Sequence, residues 1–154
     1  MKKAMFFKMI LCSSLFFACS NDDDSYQVKF NETEFKQQRA LWEEQNPQNY
    51  SYSYSYMAST GPEDMNVVVQ EGIASSDSDY WQTYTINEVF DKIQADYQNA
   101  LTQDSNDKFG VTIEVTYNKE NHYPESIKYS TSYKKEINGG AWYTITINDL
   151  NMIN

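Results

Sequence analysis

Cysteine and histidine are scarce in this sequence, which holds two cysteines and one histidine. There is no CxxC pair and no cluster of cysteine and histidine, so the ligand count excludes a structural zinc site. Cys12 lies inside an apolar N-terminal segment and Cys19 directly after it, which leaves no framework of disulfides. We therefore expect neither a metal site nor a cofactor. Packing of the aromatic residues, which make up 16% of the chain, is expected to stabilise the fold instead.

Basic residues are also few: the chain has 12 lysines and arginines against 22 acidic residues, a net charge of −10 at pH 7. Such a chain repels nucleic acid and anionic lipid headgroups, so we exclude both as partners. Residues 1–18 contain three lysines and no acidic residue, so their removal would lower the net charge to −13. The remaining length suits one domain with a single core.

The sequence lacks an apolar run long enough to span a bilayer, which takes about 20 residues. Its N-terminal run, Met9–Ala18, has ten residues and follows lysines at positions 2, 3 and 8. With a small residue directly before Cys19, this arrangement is typical of a signal peptide, residues 1–18, that ends at a lipid-modified cysteine. The open alternative is cleavage of an ordinary secreted protein near Ser20, because Ala18-Cys19-Ser20 also has a small-x-small pattern.

Lipidation of Cys19, for example with palmitate, would make the membrane a partner of the mature chain. We therefore expect an outer-membrane lipoprotein of the cell envelope. Residues 19–29 are polar and acidic and are predicted to be a flexible tether, with a single domain over residues 30–154. The run Asp22–Asp24 resembles the acidic tag that sends some lipoproteins to the outer surface, but it equally fits a solvated spacer. The periplasmic and surface-exposed faces both stay open.

Two helices are predicted from their start signals and apolar stripes. Asn31 is placed to cap the first helix, with Glu34 at its third position, and Asn46-Pro47 ends it. Thr85 and Glu88 form a capping box for the second helix, whose apolar stripe continues to Leu101.

The remaining segments alternate apolar and polar residues, which indicates half-buried strands. Five segments show either this alternation or a short apolar run: residues 50–56, 65–69, 109–117, 127–133 and 143–147. Short turns between neighbouring strands favour antiparallel pairing. The predicted fold class is therefore α+β, with two layers, an antiparallel sheet of about five strands and both helices packed on one face, in the order α-β-β-α-β-β-β.

Several residues together match the spacing of a known family of bacterial lipoproteins. They are Trp42, Tyr50-x-Tyr52, Val67-x-Val69, Thr85-Ile86-x-Glu88-x-Phe90-x-x-Ile93, Val115-x-Tyr117, Tyr123-Pro124-x-x-Ile127, and Tyr143-x-Ile145 with Leu150. In this pattern the chain resembles domain of unknown function family 6174 over nearly the whole mature length. The resemblance implies a lipid-anchored or secreted single domain and no particular activity. Members often carry cysteines in the hairpin that here spans Met57–Met65, and glycine where this chain has His122.

No catalytic residue is predicted. His122 precedes Tyr123-Pro124 and is best explained as a turn residue, since histidine tolerates left-handed backbone. Short acidic runs such as Glu63-Asp64, Asp77-x-Asp79 and Asp104 to Asp107 could pair carboxylates, but solvated loops explain them better. The tyrosines at positions 50, 52, 54 and 56 share one strand face, which we assign to the core rather than to a sugar-stacking platform.

The opposite, hydroxyl-rich sheet face is the candidate binding surface. If the alternation holds, the side chains that point to solvent there include Trp142, Thr144, Thr146, Ser130, Lys128, Thr112 and Glu114. An open face with one tryptophan suits a glycan or a protein segment. It also suits an ordinary soluble sheet surface.

These observations lead to an expected function in the cell envelope. We expect a lipid-anchored, non-enzymatic binding or accessory module. One alternative is a small envelope hydrolase that uses a carboxylate pair in a concave pocket. Another is an inhibitor of a secreted enzyme, suggested only by the architecture of helix–hairpin units with an open sheet.

Overall fold

The computed structural model describes residues 26–78, 82–103, 108–133 and 140–153. In chain order the elements within these ranges are β1 (Gln27–Lys29), α1 (Glu32–Gln45), β2 (Tyr50–Ala58), β3 (Gly61–Gln70), β4 (Ile73–Ser76), α2 (Ile86–Thr102), β5 (Lys108–Tyr117), β6 (Pro124–Tyr133) and β7 (Trp142–Met152). All the strands belong to one sheet, and the two helices supply the rest of the core.

The strands lie in the order β1-β5-β6-β7-β2-β3-β4. β1 runs parallel to β5, and every other neighbouring pair is antiparallel. The strand nearest the C-terminus, β7, lies in the middle and pairs with β6 on one side and β2 on the other. β7 therefore joins β2, β3 and β4, which precede α2, to β5 and β6, which follow it.

The predicted fold class was wrong, because the sheet has seven strands and is mixed rather than five-stranded and antiparallel. The sequence missed β1, which has three residues and falls at the end of the predicted tether, and β4, which has four residues and falls in a predicted turn and loop. Segments this short have too few residues to show a period. Each is held by backbone pairing to a strand that already exists, and composition does not encode that pairing.

Both predicted helix starts are confirmed. The Asn31 side chain accepts a hydrogen bond from the Glu34 backbone N–H at 3.2 Å, and the rings of Phe30 and Phe35 lie 5.3 Å apart beside this cap. At α2 the Thr85 hydroxyl and the Glu88 carboxylate each accept from the other residue's backbone N–H, at 3.2 and 2.6 Å. These caps satisfy N–H groups that the helix itself leaves without a partner.

The core lies between the helices and one face of the sheet. Tyr50, Tyr52 and Tyr54 are 2–5% exposed, which confirms that these three tyrosines face the core. Trp42 of α1 meets Tyr50 edge-on with ring centroids 5.5 Å apart, and Phe35 meets Phe90 of α2 at 5.9 Å. Burial of these rings is the main favourable term for the fold.

The buried tyrosine hydroxyls bond to backbone at both ends of α2. The Tyr50 hydroxyl accepts from the Ile86 N–H at 2.9 Å, and the Tyr52 hydroxyl donates to the Tyr84 carbonyl. At the other end the Tyr26 hydroxyl donates to the Ala100 carbonyl at 2.8 Å. Phenylalanine would pack in these positions but would leave the backbone groups without these partners.

Gly110 is required for β1 to approach β5. A Cβ built on Gly110 would lie 2.0 Å from the Gln27 carbonyl oxygen, and backbone cannot move aside as a flexible side chain can. We expect Gly110→Ala to displace β1 and to lower the free energy of unfolding by about 1–3 kcal/mol. Urea unfolding measures the loss, and faster amide exchange in β1 locates it.

The matched control for this prediction is Gln27→Ala. The Gln27 side chain is exposed and its backbone carbonyl is kept, so we expect a change within about 0.5 kcal/mol. If both variants were equally destabilised, or neither, the clash with Gly110 would not be what limits the approach of β1.

Candidate functional site

The structure brings the predicted binding residues together on the sheet face opposite the core. They come from three neighbouring strands: Thr112 and Glu114 from β5, Lys128 and Ser130 from β6, and Trp142, Thr144 and Thr146 from β7. One cross-strand row runs Thr112, Ser130, Trp142. Trp142 keeps 43% of its surface exposed at the end of this row, so its indole is available to a ligand.

A second row, Glu114, Lys128, Thr144, lies directly beside the first. The acidic and basic residues are opposite each other in the register, so their charges offset locally. In a third row, Thr146 lies between Ser126 of β6 and Ser55 of β2. The result is a flat surface with many hydroxyl groups, little net charge and one large aromatic side chain.

Beyond β7 the same face continues over β2 and β3 with serine and amide side chains. Ser53 lies opposite Asn66, and its hydroxyl donates to the Asn66 side-chain oxygen at 3.3 Å. Asp77 holds Asn66 in turn, accepting from its backbone and side-chain N–H groups, both at 2.9 Å. These hydrogen bonds lower the pKa of the Asp77 carboxyl, and they fix the part of the face farthest from Trp142.

The model of a family of unknown function, DUF6174, matches residues 34–151 of the chain. The chain belongs to the DUF6174 family. The match runs from the first turn of α1 to the penultimate residue of β7 and therefore includes all the residues of the open face. No curated protein and no solved structure gives a significant match.

On the helix side of this DUF6174 domain there is also a groove that the sequence did not indicate. It lies where the tyrosine row of β2 emerges from the core, and it encloses about 370 Å³. Its walls come from β2, β3, α2 and the segment before α2: Tyr54, Tyr56, Thr60, Glu63, Met65, Gln82, Tyr84 and Lys92. Tyr56 was predicted as core with the other tyrosines, but it is only half-buried because it lies at this opening.

Beside the groove three tyrosines stack across three strands. The ring centroids of Tyr129 and Tyr143 are 5.2 Å apart, and those of Tyr143 and Tyr56 are 5.7 Å apart. The Lys92 ammonium lies 4.3 Å from the Tyr143 ring centroid and 2.8 Å from the Asp96 carboxylate. Lys92 therefore supplies this cluster with its own cation, and Asp96 balances the charge.

The Tyr143 hydroxyl donates to Asp96 and is largely shielded from water. Burial raises the pKa of Tyr143 most, and the negative charge of Asp96 raises it further. The hydroxyl therefore stays protonated at neutral pH and links the middle of α2 to the sheet. Tyr143 and Asp96 therefore form a structural contact beside the groove.

The other predicted polar residues do not form one cluster. His122 has a φ of 64°, which confirms the turn interpretation, and its Nδ1 lies 2.9 Å from the Gln38 side-chain oxygen. Glu63 and Asp64 are neighbours in sequence, but strand alternation places Glu63 in the groove and Asp64 on the open face. This pair of carboxylates therefore cannot act on one substrate.

Cys19, Asp79, Asp104 and Asp107 lie outside the described residues. Within the residues that are described, no group of three or more histidine, cysteine, aspartate or glutamate side chains could hold a metal ion. A search of the same residues finds no helix with the length and apolar character needed to cross a membrane.

Proposed function

We propose that this DUF6174 protein is lipid-anchored in the cell envelope through Cys19 and acts as a non-enzymatic binding or accessory module. Its ligand, a glycan or a segment of another protein, would dock on the open sheet face. The N-terminal sequence supports the anchor, because a short apolar run after three lysines ends at Ala18-Cys19. The arrangement of the open face supports the binding role.

The observation that carries the binding role is the environment of Trp142. The indole is 43% exposed and lies in register with Ser130 and Thr112, beside a row whose two charges offset. An indole ring offers apolar area to a sugar ring or an aliphatic side chain, while the hydroxyl groups bond to polar atoms. The face therefore offers both kinds of contact.

The direct test of the binding role is Trp142→Ala in a glycan array and in pull-downs with the purified protein. We expect a ligand-specific signal that falls by about 30-fold in the variant, because an aromatic hot-spot residue commonly contributes about 2 kcal/mol to an interface. Met152→Ala is the matched control, since Met152 is 41% exposed on β7 and pairs with Tyr50 of the core face. An unchanged signal in Trp142→Ala would remove the open face as the site.

The test of the anchor is metabolic labelling with palmitate in the native host. We expect Cys19→Ala to lose the label and to leave the membrane fraction, because the sulfur that would carry the lipid is gone. Cys12→Ala is the control and should keep both the label and the location, since Cys12 lies within the predicted signal. Wild-type protein that is unlabelled and free in the culture fluid would contradict the anchor.

A further inference from the structure

One edge of the sheet is covered over only part of its length. β1 pairs with Gly110–Thr112 of β5, whereas β5 continues to Tyr117. The outer edge of β5 from Ile113 to Tyr117 therefore has no strand partner within the described part of the chain. Backbone N–H and C=O groups on such an edge are available to another extended chain.

The edge is open because the chain leaves the sheet after Lys29. The Phe30 ring turns inward and packs against Phe35 and Tyr97, with ring centroids 5.3 and 4.7 Å apart. Asn31 then caps α1, so the backbone cannot continue alongside β5. A notch of about 350 Å³ remains in line with β1, bounded by residues 29–31 and 34 on one side and by β5 on the other.

The opposite edge of the sheet carries features that block such pairing. β4 covers Val67–Gln70 of β3, and the uncovered part of β3 contains Pro62, Glu63 and Asp64. The Asp77 carboxylate also accepts a hydrogen bond from the Asn66 backbone N–H at 2.9 Å, so this N–H is not available to an added strand. Proline and closely spaced charges are the usual protection of an edge strand. The open part of β5 has no proline and one charged residue, Glu114.

Alternation along β5 defines what an added strand would meet. Val115 and Tyr117 are partly buried and pack on the core, while Glu114 and Thr116 are exposed on the other face. An added strand would therefore place every second side chain against Val115, Tyr117 and Phe30, where apolar groups fit. Five paired residues span about 17 Å. The remaining side chains would lie on the side of Glu114.

The charges at the notch favour a basic occupant. Glu34 and Glu114 flank it, Lys29 is the one basic residue that lines it, and the whole chain carries a net charge of −10. A second copy of this chain would bring the same acidic groups and the same negative charge to the contact, so like charges oppose pairing of two β5 edges.

We propose that the outer edge of β5, from Ile113 to Tyr117, is a β-strand addition site for an extended partner segment in which apolar residues alternate with lysine or arginine. Backbone hydrogen bonds would supply affinity, and the alternate side chains would supply specificity. Glu114 borders both this site and the Trp142 face, but the site depends on the backbone edge of β5 and not on the Trp142 side chain, so either can fail without the other.

The test uses a synthetic probe peptide, Lys-Val-Lys-Ile-Lys-Val-Lys-amide with a fluorophore on its N-terminus; the full chain is titrated into the peptide and binding is followed by fluorescence anisotropy. Amide hydrogen exchange then locates the contact. We expect saturable binding and slower exchange in residues 113–117. Two comparison peptides separate the contribution of charge from that of backbone hydrogen bonds. One has glutamate in place of each lysine, and the other is N-methylated at alternate backbone amides. Both should bind at least about tenfold more weakly.

Variants of the protein complete the test. Thr116→Lys places a positive charge on the open edge. We expect it to lower the affinity for the probe peptide by about tenfold. Glu34→Gln removes a negative charge at the notch but keeps an acceptor for the Asn31 side-chain N–H. It should lower the affinity for the probe peptide a few-fold. Gln98→Lys adds the same charge as Thr116→Lys on the exposed surface of α2 and should leave binding within about twofold.

Three results would overturn the proposal. The first is no binding of the lysine peptide. The second is equal binding of the N-methylated peptide, which would indicate adhesion by charge alone. The third is a dimer of the protein that Thr116→Lys dissociates, which would make a second copy the occupant of the edge.

Discussion

Replacing Trp42 by alanine is expected to lower the free energy of unfolding by about 3–5 kcal/mol, the usual cost of truncating a large buried aromatic residue. Trp42 is 1% exposed and contacts Tyr50 and Tyr123 edge-on, with ring centroids 5.5 and 6.4 Å away. Its indole N–H also donates to the Asn87 side chain at 2.9 Å, and alanine would leave that oxygen without its donor. Urea unfolding followed by circular dichroism measures the loss.

The matched control for Trp42→Ala is Trp142→Ala, the same substitution at a half-exposed position on the other side of the sheet. Here we expect a change within about 0.5 kcal/mol, because no enclosed cavity is created. The two tryptophans thus separate stability from the proposed binding role. A loss of less than about 1 kcal/mol in Trp42→Ala would show that α1 does not pack on the core as described.

Alkaline pH is expected to unfold the protein in a single step above about pH 10, the ordinary pKa of tyrosine. Burial raises the pKa of Tyr52, Tyr54 and Tyr143, so these hydroxyls stay protonated in the folded state while the unfolded chain ionises. The stability that they contribute is complete below pH 10 and is lost as the pH rises. The cost of keeping these hydroxyls protonated grows as the pH rises above 10, so three buried tyrosines together lower the stability of the domain steeply.

Tyrosinate absorbance and circular dichroism, recorded together during a pH titration, measure this transition. We expect the two signals to change together, whereas the chain in concentrated urea should titrate gradually around pH 10. Tyr54→Phe keeps the ring and removes the ionisable group, so it should move the midpoint to higher pH. Gradual absorbance change in a chain that keeps its circular dichroism would mean that these hydroxyls are accessible to water.

The sequence predicted the features that depend on near neighbours. The caps at Asn31 and Thr85 form between residues three positions apart, and the burial of Tyr50 and Tyr52 follows from alternation along one strand. The turn at His122 depends on the backbone preference of that residue. In each case the determining interaction lies within a few residues, where a sequence pattern can show it.

The features that the sequence did not predict depend on distant segments. The parallel pairing of Val28 with Val111 joins residues far apart in the chain, and the three-residue strand β1 shows no pattern of its own. The parallel pair also changes the fold class, so one short strand overturned the antiparallel prediction.

The candidate site divides in the same way. Alternation correctly placed Trp142 and Thr144 on the exposed face, because only the direction of each side chain was needed. The stack of Tyr129 on Tyr143 requires the register between β6 and β7, and the nearby charge pair requires α2 to lie above that stack. The groove beside Tyr56 therefore could not be predicted from the sequence.

The central position of β7 has a consequence for the growing chain. While the protein is being synthesised, β2, β3 and β4 can pair with one another and β5 can pair with β6, but no strand pairing joins the two groups until residues 142–152 are present. Closure then pairs Tyr50 with Met152 across about a hundred intervening residues, a long-range contact of the kind that slows folding. The two groups of strands therefore become one sheet only when β7 pairs with both of them.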